Sequence, residues 1–286
     1  MTASSGSPQR VSLAAGFIAA LFLFAAGQVL AEPARQIFVS IPPQRFLLER
    51  IVGTLGTVQV FIEPGQVPET YEPRPSRLKL LKDASIYFSI GVPFEKPLLE
   101  RIRRQYPRLQ VVDCCAVLLP GDAGSNPDPH IWTSPRLIIR YAELVHDVLS
   151  RIDAGNRYEY DSNYRELNGE LVTLQQDMRT LLRERRFDEF IIDHAGLGPL
   201  AEEFNLKQVA LEQGGREPSA RSLAGVIDLA KSRHIKTIFT QKQHQSATIG
   251  VLAGEIGANI TVIDLYGENY LDNMRSITRS LGEALK

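Results

Sequence analysis

Cysteine is scarce in this sequence, and neither sign of charge dominates it. Two cysteines among 286 residues are too few for a disulfide scaffold or for a zinc cluster held by thiolates. Lys and Arg number 32 against 33 Asp and Glu, so the chain lacks the basic surface that binds nucleic acid or an anionic membrane. The 44% of hydrophobic residues argues against disorder and indicates a globular protein of one or two domains.

Long apolar runs are also missing, apart from one near the start of the chain. That run covers residues 11–26, follows the charged Arg10, and precedes small residues that end at Ala31. It is short for a membrane span, and the small residues are typical of a signal-peptidase site. Residues 1–31 are therefore predicted to be a cleaved signal peptide that exports the protein to the periplasm. An uncleaved N-terminal anchor is the alternative.

The remaining sequence alternates short β-branched or aromatic runs with amphipathic stretches. This pattern is typical of α/β lobes with mostly parallel sheets. It predicts one lobe over residues 32–153 and a second over residues 188–286. The predicted strands cover residues 37–41, 58–62, 86–90, 109–112, 190–192, 237–239 and 259–263.

One long helix is predicted between the lobes, within the linking segment 154–187. Seven apolar residues recur there at spacings of three and four, which places them on one helix face. A helix over about residues 156–186 would join the lobes rigidly, and a ligand would bind in the cleft between them. The alternative is a coiled-coil dimer seam. The seven residues are Tyr160, Tyr164, Leu167, Leu171, Leu174, Met178 and Leu181.

Groups able to bind a metal ion follow the predicted strands of the second lobe. Asp193 and His194 follow one strand, Gln241 follows the next with His244 beyond it, and Asp264 follows the last. The carboxyl ends of parallel strands share one edge of a sheet, so we expect these groups to converge. The first lobe contributes two proline-rich loops to the same cleft, over residues 63–73 and 126–132.

The motifs in these loops resemble those of the cluster A-I solute-binding proteins, the zinc- and manganese-binding receptors of bacterial ABC importers. The resemblance implies two α/β lobes on a rigid helix, with one divalent transition metal bound between them. It also implies a monomer without enzymatic activity that delivers the metal to a membrane permease. The motifs are Pro64-Gly65, Tyr71-Glu72-Pro73, Pro75-Ser76, Asp128-Pro129-His130-Ile131-Trp132, and the strand-end residues His194, Gln241 and Asp264.

The same resemblance implies four metal ligands: Glu69, His130, His194 and Asp264. Glu69 stands where the family usually has a histidine, and His244 could instead supply a third imidazole. Two imidazoles with two carboxylates make a harder site than three imidazoles with one, which raises the plausibility of Mn²⁺ or Fe²⁺. Zn²⁺ stays favoured as the cargo because the Irving–Williams order places it above both at most such sites.

Other functions use the same residues differently. An exported metal-dependent hydrolase would keep one metal position open for water and could use Glu69 as its base. An adhesin-like or redox-linked protein would use Cys114 and Cys115, which are expected at a strand end as a vicinal disulfide or as two buried thiols. Arg216 is predicted to pair with a ligand carboxylate, and His146 and His234 are expected to have structural or solvated roles.

Overall fold

Two parallel four-stranded sheets form the framework of the computed structural model, which describes residues 1–2, 35–63, 65–119, 127–212, 218–243 and 247–286. The first sheet has the order β2-β1-β3-β4, and all its neighbouring strands run parallel. Its strands are β1 (Arg35–Val39), β2 (Gly56–Val60), β3 (Ile86–Ser89) and β4 (Gln110–Asp113). The accompanying helices are α1 (Pro42–Val52), α2 (Pro75–Leu80), α3 (Glu95–Gln105), α4 (Cys114–Leu118) and α5 (Pro135–Ile152).

The second sheet repeats this arrangement with the order β6-β5-β7-β8, again parallel throughout. The long helix α6 (Arg157–Leu181) precedes it. Its strands are β5 (Glu189–Ile192), β6 (Lys207–Ala210), β7 (Thr237–Gln241) and β8 (Asn259–Ile263), and its helices are α7 (Gly198–Glu203), α8 (Ala220–Ser232), α9 (Ala247–Ile256) and α10 (Tyr270–Ala284). The predicted fold class, two α/β lobes with parallel sheets, is confirmed.

Local sequence explains where several helices begin. Pro42, Pro75 and Pro135 stand in the first turns of α1, α2 and α5, where a backbone N–H has no partner within the helix. Ser134 precedes α5, and its hydroxyl accepts a hydrogen bond from the Leu137 backbone N–H at 3.2 Å. The cap fixes the direction in which the chain leaves the predicted metal-binding loop before it.

Helix α6 buries the apolar stripe that its periodicity predicts. Tyr160, Leu167, Leu171, Leu174 and Met178 are 0% exposed. They lie in the core that the helix shares with α1, α5 and α10, so the coiled-coil seam is wrong. The helix ends at Leu181, five residues before the predicted end, and its 25 residues span about 38 Å at 1.5 Å per residue.

Three elements differ from the predictions. β6 and α7 were not predicted, because each is short and β6 carries polar residues at Lys207 and Gln208. Cys114 and Cys115 do not lie on a strand end; they begin α4, because the Asp113 carboxylate accepts a hydrogen bond from the Ala116 backbone N–H and caps the helix. Both thiols are buried and free of a disulfide.

Most of the predicted signal peptide lies outside the described residues, which resume at Arg35. Within the described ranges, no helix combines the length and the apolar character needed to cross a membrane. Residues 35–286 form one compact unit.

The start of α6 is held by Asp153, a carboxylate with three donors. Its Oδ2 atom accepts hydrogen bonds from Arg35 Nε at 3.0 Å, Asn156 Nδ2 at 3.0 Å and the Tyr160 hydroxyl at 2.8 Å. Burial of the carboxyl raises its pKa, but the three hydrogen bonds and the Arg35 charge together lower the pKa below its usual value. The ionised carboxylate therefore stabilises the fold above the unfolded-state pKa, and this stability is lost as the pH falls through the folded-state value.

Tyr160→Phe is expected to lower the free energy of unfolding by about 1.5 kcal/mol at pH 7, because it removes one donor from a buried charged acceptor. The loss should shrink at pH 3, because protonation of the Asp153 carboxyl removes the charge that the Tyr160 hydroxyl stabilises. Urea denaturation at both pH values measures this. Tyr164→Phe is the matched control, since the Tyr164 ring stacks on His146 and its hydroxyl bonds to none of the described residues. Equal losses for the two variants would contradict the prediction.

Candidate metal centre

His130 enters the cleft from the loop that precedes a short 3-10 turn, Ile131–Thr133. Its backbone N–H and its Nδ1 atom both contact Asp128 Oδ1, at 2.9 and 2.6 Å. A hydrogen bond from Nδ1 to a carboxylate selects the tautomer whose Nε2 atom carries the lone pair. His130 is 7% exposed, so this loop presents a single, oriented nitrogen to the cleft.

His194 follows β5 and stands opposite His130, with the two ring centroids 5.5 Å apart. Its backbone N–H donates to Asp193 Oδ1 at 2.6 Å. Asp193 is itself buried and accepts hydrogen bonds from the Thr240 hydroxyl and the Gln241 backbone at the end of β7. Asp193 and Gln241 thus tie the strand ends together, and Asp193 holds the backbone beside the imidazole.

Glu69 approaches the two imidazoles from the loop between β2 and α2. Its Oε1 atom lies 3.6 Å from His194 Nε2. One ligand atom from each of Glu69, His130 and His194 lies within 4.8 Å of the other two. Glu69 Oε2 is buried and has no hydrogen-bond partner among the described residues, which is costly for a carboxylate oxygen unless a cation binds there. The donor set fits a divalent transition metal.

Asp264, the fourth predicted ligand, lies in the loop after β8 and is not part of this cluster. Its Oδ1 atom accepts hydrogen bonds from the Tyr266 backbone N–H at 2.9 Å and from Gln243 Nε2 at 3.2 Å. Its Oδ2 atom is 3.7 Å from Lys242 Nζ. Burial raises the pKa of the Tyr266 hydroxyl well above its usual range, and the negative charges of Glu69 and Asp264 raise it further. Glu69 and Asp264 therefore both lie near enough to Tyr266 to raise the pKa of its hydroxyl.

Contacts across the lobes join the loops that carry His130 and Asp264. Trp132, two residues after His130, donates from its indole Nε1 to the Leu265 carbonyl at 2.9 Å. Its ring packs on Tyr266 with 5.6 Å between centroids, and the Tyr270 hydroxyl donates to the Trp132 carbonyl at 2.8 Å. The two loops are thus connected directly, next to the predicted ligands His130 and Asp264.

The centre lines one wall of an open cleft of about 1180 Å³. Glu69, His130, His194 and a fourth residue, Glu212, all line this cleft. Sequence reasoning missed Glu212 because it missed β6, which precedes it; the apolar run 209–211 before this glutamate was the available signal. The volume leaves room for a hydrated ion to enter before it loses its water.

The remaining predicted residues divide into two groups. His244 and Arg216 lie outside the described residues, so their predicted roles stay predictions. His146 packs between α5 and α6, where Nε2 contacts Asp161 at 2.6 Å, and His234 is exposed in the turn after α8. Both therefore have the structural or solvated roles expected of them.

The sequence of this chain matches a protein family, and that family shows what kind of protein carries this site. Residues 37–284 match the family model described as the zinc-uptake complex component A, periplasmic. The chain belongs to this family. The resemblance stated from its motifs is thereby confirmed, and the family is described as part of an uptake complex rather than as an enzyme. The hydrolase reading is therefore wrong.

Individual members of the zinc-uptake family are similar over most of this chain. The high-affinity zinc uptake system protein ZnuA of Bacillus subtilis is 27% identical and aligns with 85% of each chain. The zinc-binding lipoprotein AdcA of Streptococcus pneumoniae is 25% identical over 96% of this chain, which spans 60% of AdcA. A crystal structure of ZnuA superposes with a TM-score of 0.84 at 32% identity and covers 89% of this chain and 100% of its own.

A zinc-bound ZnuA deletion mutant superposes almost as well, with a TM-score of 0.82 at 32% identity over 89% of this chain and 99% of its own. FpvC of Pseudomonas aeruginosa, solved with Mn²⁺, reaches a TM-score of 0.77 at 23% identity over 88% of this chain and 98% of its own, which shows the shared fold alone. The family match and these superpositions agree with the two-lobe fold of this chain.

The two cysteines fit no separate function within this family. Burial raises the pKa of the Cys115 thiol to about 11, and burial raises that of Cys114 well above its usual range. Buried thiols with raised pKa values are unreactive. These properties argue against a protein that works through exposed, reactive thiols.

Proposed function

We propose that this protein is a periplasmic receptor that captures a divalent transition metal and delivers it to the membrane permease of an ABC importer. The observation that carries the proposal is the buried Glu69 Oε2 atom beside His130 and His194, which has no hydrogen-bond partner in the described part of the chain. A bound cation would give this oxygen its partner. Asp264 completes the ligand set from the loop after β8. On metal binding, its Oδ2 atom would contact the cation in place of Lys242 Nζ.

Zn²⁺ is the favoured cargo, with Mn²⁺ or Fe²⁺ as the alternatives. Two imidazoles suit zinc, and the zinc-bound ZnuA neighbour has the same fold at 32% identity. Glu69 and Asp264 each contribute a carboxylate that binds through one oxygen or two, so the site also suits metals of higher coordination number. The balance between these metals depends on Glu69, the position at which the family pattern changes.

The compartment and the partner follow from the same proposal. The family description is periplasmic, which agrees with a cleaved signal peptide over residues 1–31. The mature receptor would then consist of the lobe 32–153, the linking segment 154–187 and the lobe 188–286, working as a monomer. Both lobes border the cleft, so a permease that contacts both could open the metal centre.

Metal competition on chelator-stripped mature protein tests the proposal. Zn²⁺, Mn²⁺ and Fe²⁺ are titrated into the wild type, Glu69→Ala and Glu69→His, and the melting temperature is recorded. We expect Zn²⁺ to stabilise the wild type, because a ligand that binds only the folded state must do so. Glu69→Ala should bind every metal more weakly, and Glu69→His should retain Zn²⁺ while losing affinity for Mn²⁺, which prefers oxygen ligands.

Glu72→Ala is the matched control, because Glu72 is an exposed carboxylate in the same loop. It should bind all three metals like the wild type. If none of the metals raises the melting temperature of the wild type, the proposed function is wrong. If Glu69→Ala binds as well as the wild type, the ligand set is wrong and the receptor function stands.

A further inference from the structure

Glu212 contacts the metal centre without being one of its predicted ligands. Its Oε2 atom lies 3.1 Å from His194 Nδ1, and its side chain is 16% exposed. Glu69 contacts the opposite nitrogen of the same ring, Nε2, at 3.6 Å. The His194 imidazole is thus placed between two carboxylates, one on the predicted metal side and one behind it.

The backbone holds Glu212 rigidly beside His194. The pairing of β5 with β6 continues beyond both strands, because the Leu211 N–H donates to the Ile192 carbonyl at 2.9 Å and the Glu212 N–H donates to the Asp193 carbonyl at 2.8 Å. Residues 192–194 and 210–212 therefore run side by side at the carboxyl edge of the sheet. The position of the Glu212 carboxylate relative to the imidazole is set by strand register.

His130 has a carboxylate in the equivalent position, supplied by Asp128 at 2.6 Å from its Nδ1 atom. The two imidazoles are therefore backed in the same way by residues from unrelated parts of the chain. Asp128 is two residues from its histidine, whereas Glu212 is 18 residues from His194 and lies just beyond the end of another strand, β6. Such partners fix ring orientation and tautomer at metal sites.

We propose that Glu212 is a positioning residue for metal capture: by accepting a hydrogen bond from His194 Nδ1, it aims Nε2 at the point where Glu69 and His130 converge. The proposal rests on the proposed function, since it concerns the same centre. Glu212 sets the affinity through the geometry of His194 and does not itself contact the metal.

The test compares Glu212→Ala and Glu212→Gln with the wild type. Zn²⁺ affinity is measured by competition with a chromophoric chelator. The fluorescence of Trp132 reports whether the metal centre is occupied, because the ring centroids of Trp132 and His130 are 5.0 Å apart. Trp132 is the single tryptophan of the chain. We expect Glu212→Ala to weaken Zn²⁺ binding by about 10- to 100-fold, the usual effect of removing such a partner. Glu212→Gln, which retains an oxygen acceptor, should recover most of this loss.

Three further measurements distinguish the outcomes. The metal-free melting temperatures of both variants should equal that of the wild type, and Glu255→Ala, an exposed carboxylate on α9, should bind Zn²⁺ normally. The visible spectrum of the Co²⁺-loaded Glu212→Gln variant should match the wild type; a changed spectrum would make Glu212 a ligand and overturn the positioning role. If the wild type binds Zn²⁺ and Glu212→Ala binds it equally well, this inference fails while the proposed function stands.

Discussion

Alanine in place of His194 is expected to abolish the thermal stabilisation that Zn²⁺ gives the wild-type protein. His194 is central to the candidate centre, because its imidazole lies next to Glu69 and opposite His130. Its removal leaves the His130 imidazole as the one nitrogen donor of the cluster formed with Glu69, so the centre loses one of the two nitrogen ligands that zinc prefers. At a free Zn²⁺ concentration of 100 times the dissociation constant, the wild type should gain about 2.7 kcal/mol. For a protein of this size, that gain corresponds to a rise of about 5–10 °C in melting temperature.

Differential scanning calorimetry on chelator-stripped protein, with and without Zn²⁺, measures this effect. His234→Ala is the matched control, because His234 is exposed in the turn after α8 and does not line the cleft. The control should keep the full zinc-dependent rise. A His194→Ala variant that retains that rise would show that the metal binds elsewhere.

Trp132→Ala is expected to lower the free energy of unfolding by about 3–5 kcal/mol, the range typical of truncating a large buried aromatic residue. Trp132 is 0% exposed and joins the two lobes through the Leu265 carbonyl and the Tyr266 ring. The variant should also bind Zn²⁺ more weakly, because the loops of His130 and Asp264 lose the side chain that connects them.

Urea denaturation followed by far-ultraviolet circular dichroism measures the stability, since the variant has lost the tryptophan that fluorescence would use. Trp132→Phe separates packing from hydrogen bonding. It keeps an aromatic ring and loses the indole donor to the Leu265 carbonyl, so its loss should be about 1–3 kcal/mol for an unsatisfied buried acceptor. A loss below about 1 kcal/mol in Trp132→Ala would contradict a joining role.

Elements with a long or regular pattern were predictable from sequence. The spacing of apolar residues identified α6, because seven positions on one helix face leave little ambiguity between a helix and a strand. His194 and Asp264 were placed at the ends of strands, and β5 and β8 do end immediately before Asp193 and Asp264. Both observations depend only on residues close to one another in the chain.

Two short elements, β6 and α4, could not be predicted in this way. β6 begins with the polar residues Lys207 and Gln208, so only a short apolar run marks it, and α4 has five residues, too few to show a helical period. Cys114 and Cys115 were predicted at a strand end because they come soon after the predicted strand 109–112, yet the Asp113 cap starts a helix there. Missing β6 also concealed Glu212, since a residue gains its place at the sheet edge only through its strand.

The sequence by itself determined the kind of protein: the α/β alternation, the long helix, and the carboxylates and imidazoles of a candidate metal centre. These are local features of spacing and residue type. Only the tertiary structure decided which carboxylate faces which nitrogen. Glu212 meets His194 Nδ1 because β6 pairs with β5 in one register, and Trp132 meets Leu265 because the lobes pack across the cleft. Such contacts join distant residues, so no local pattern encodes them.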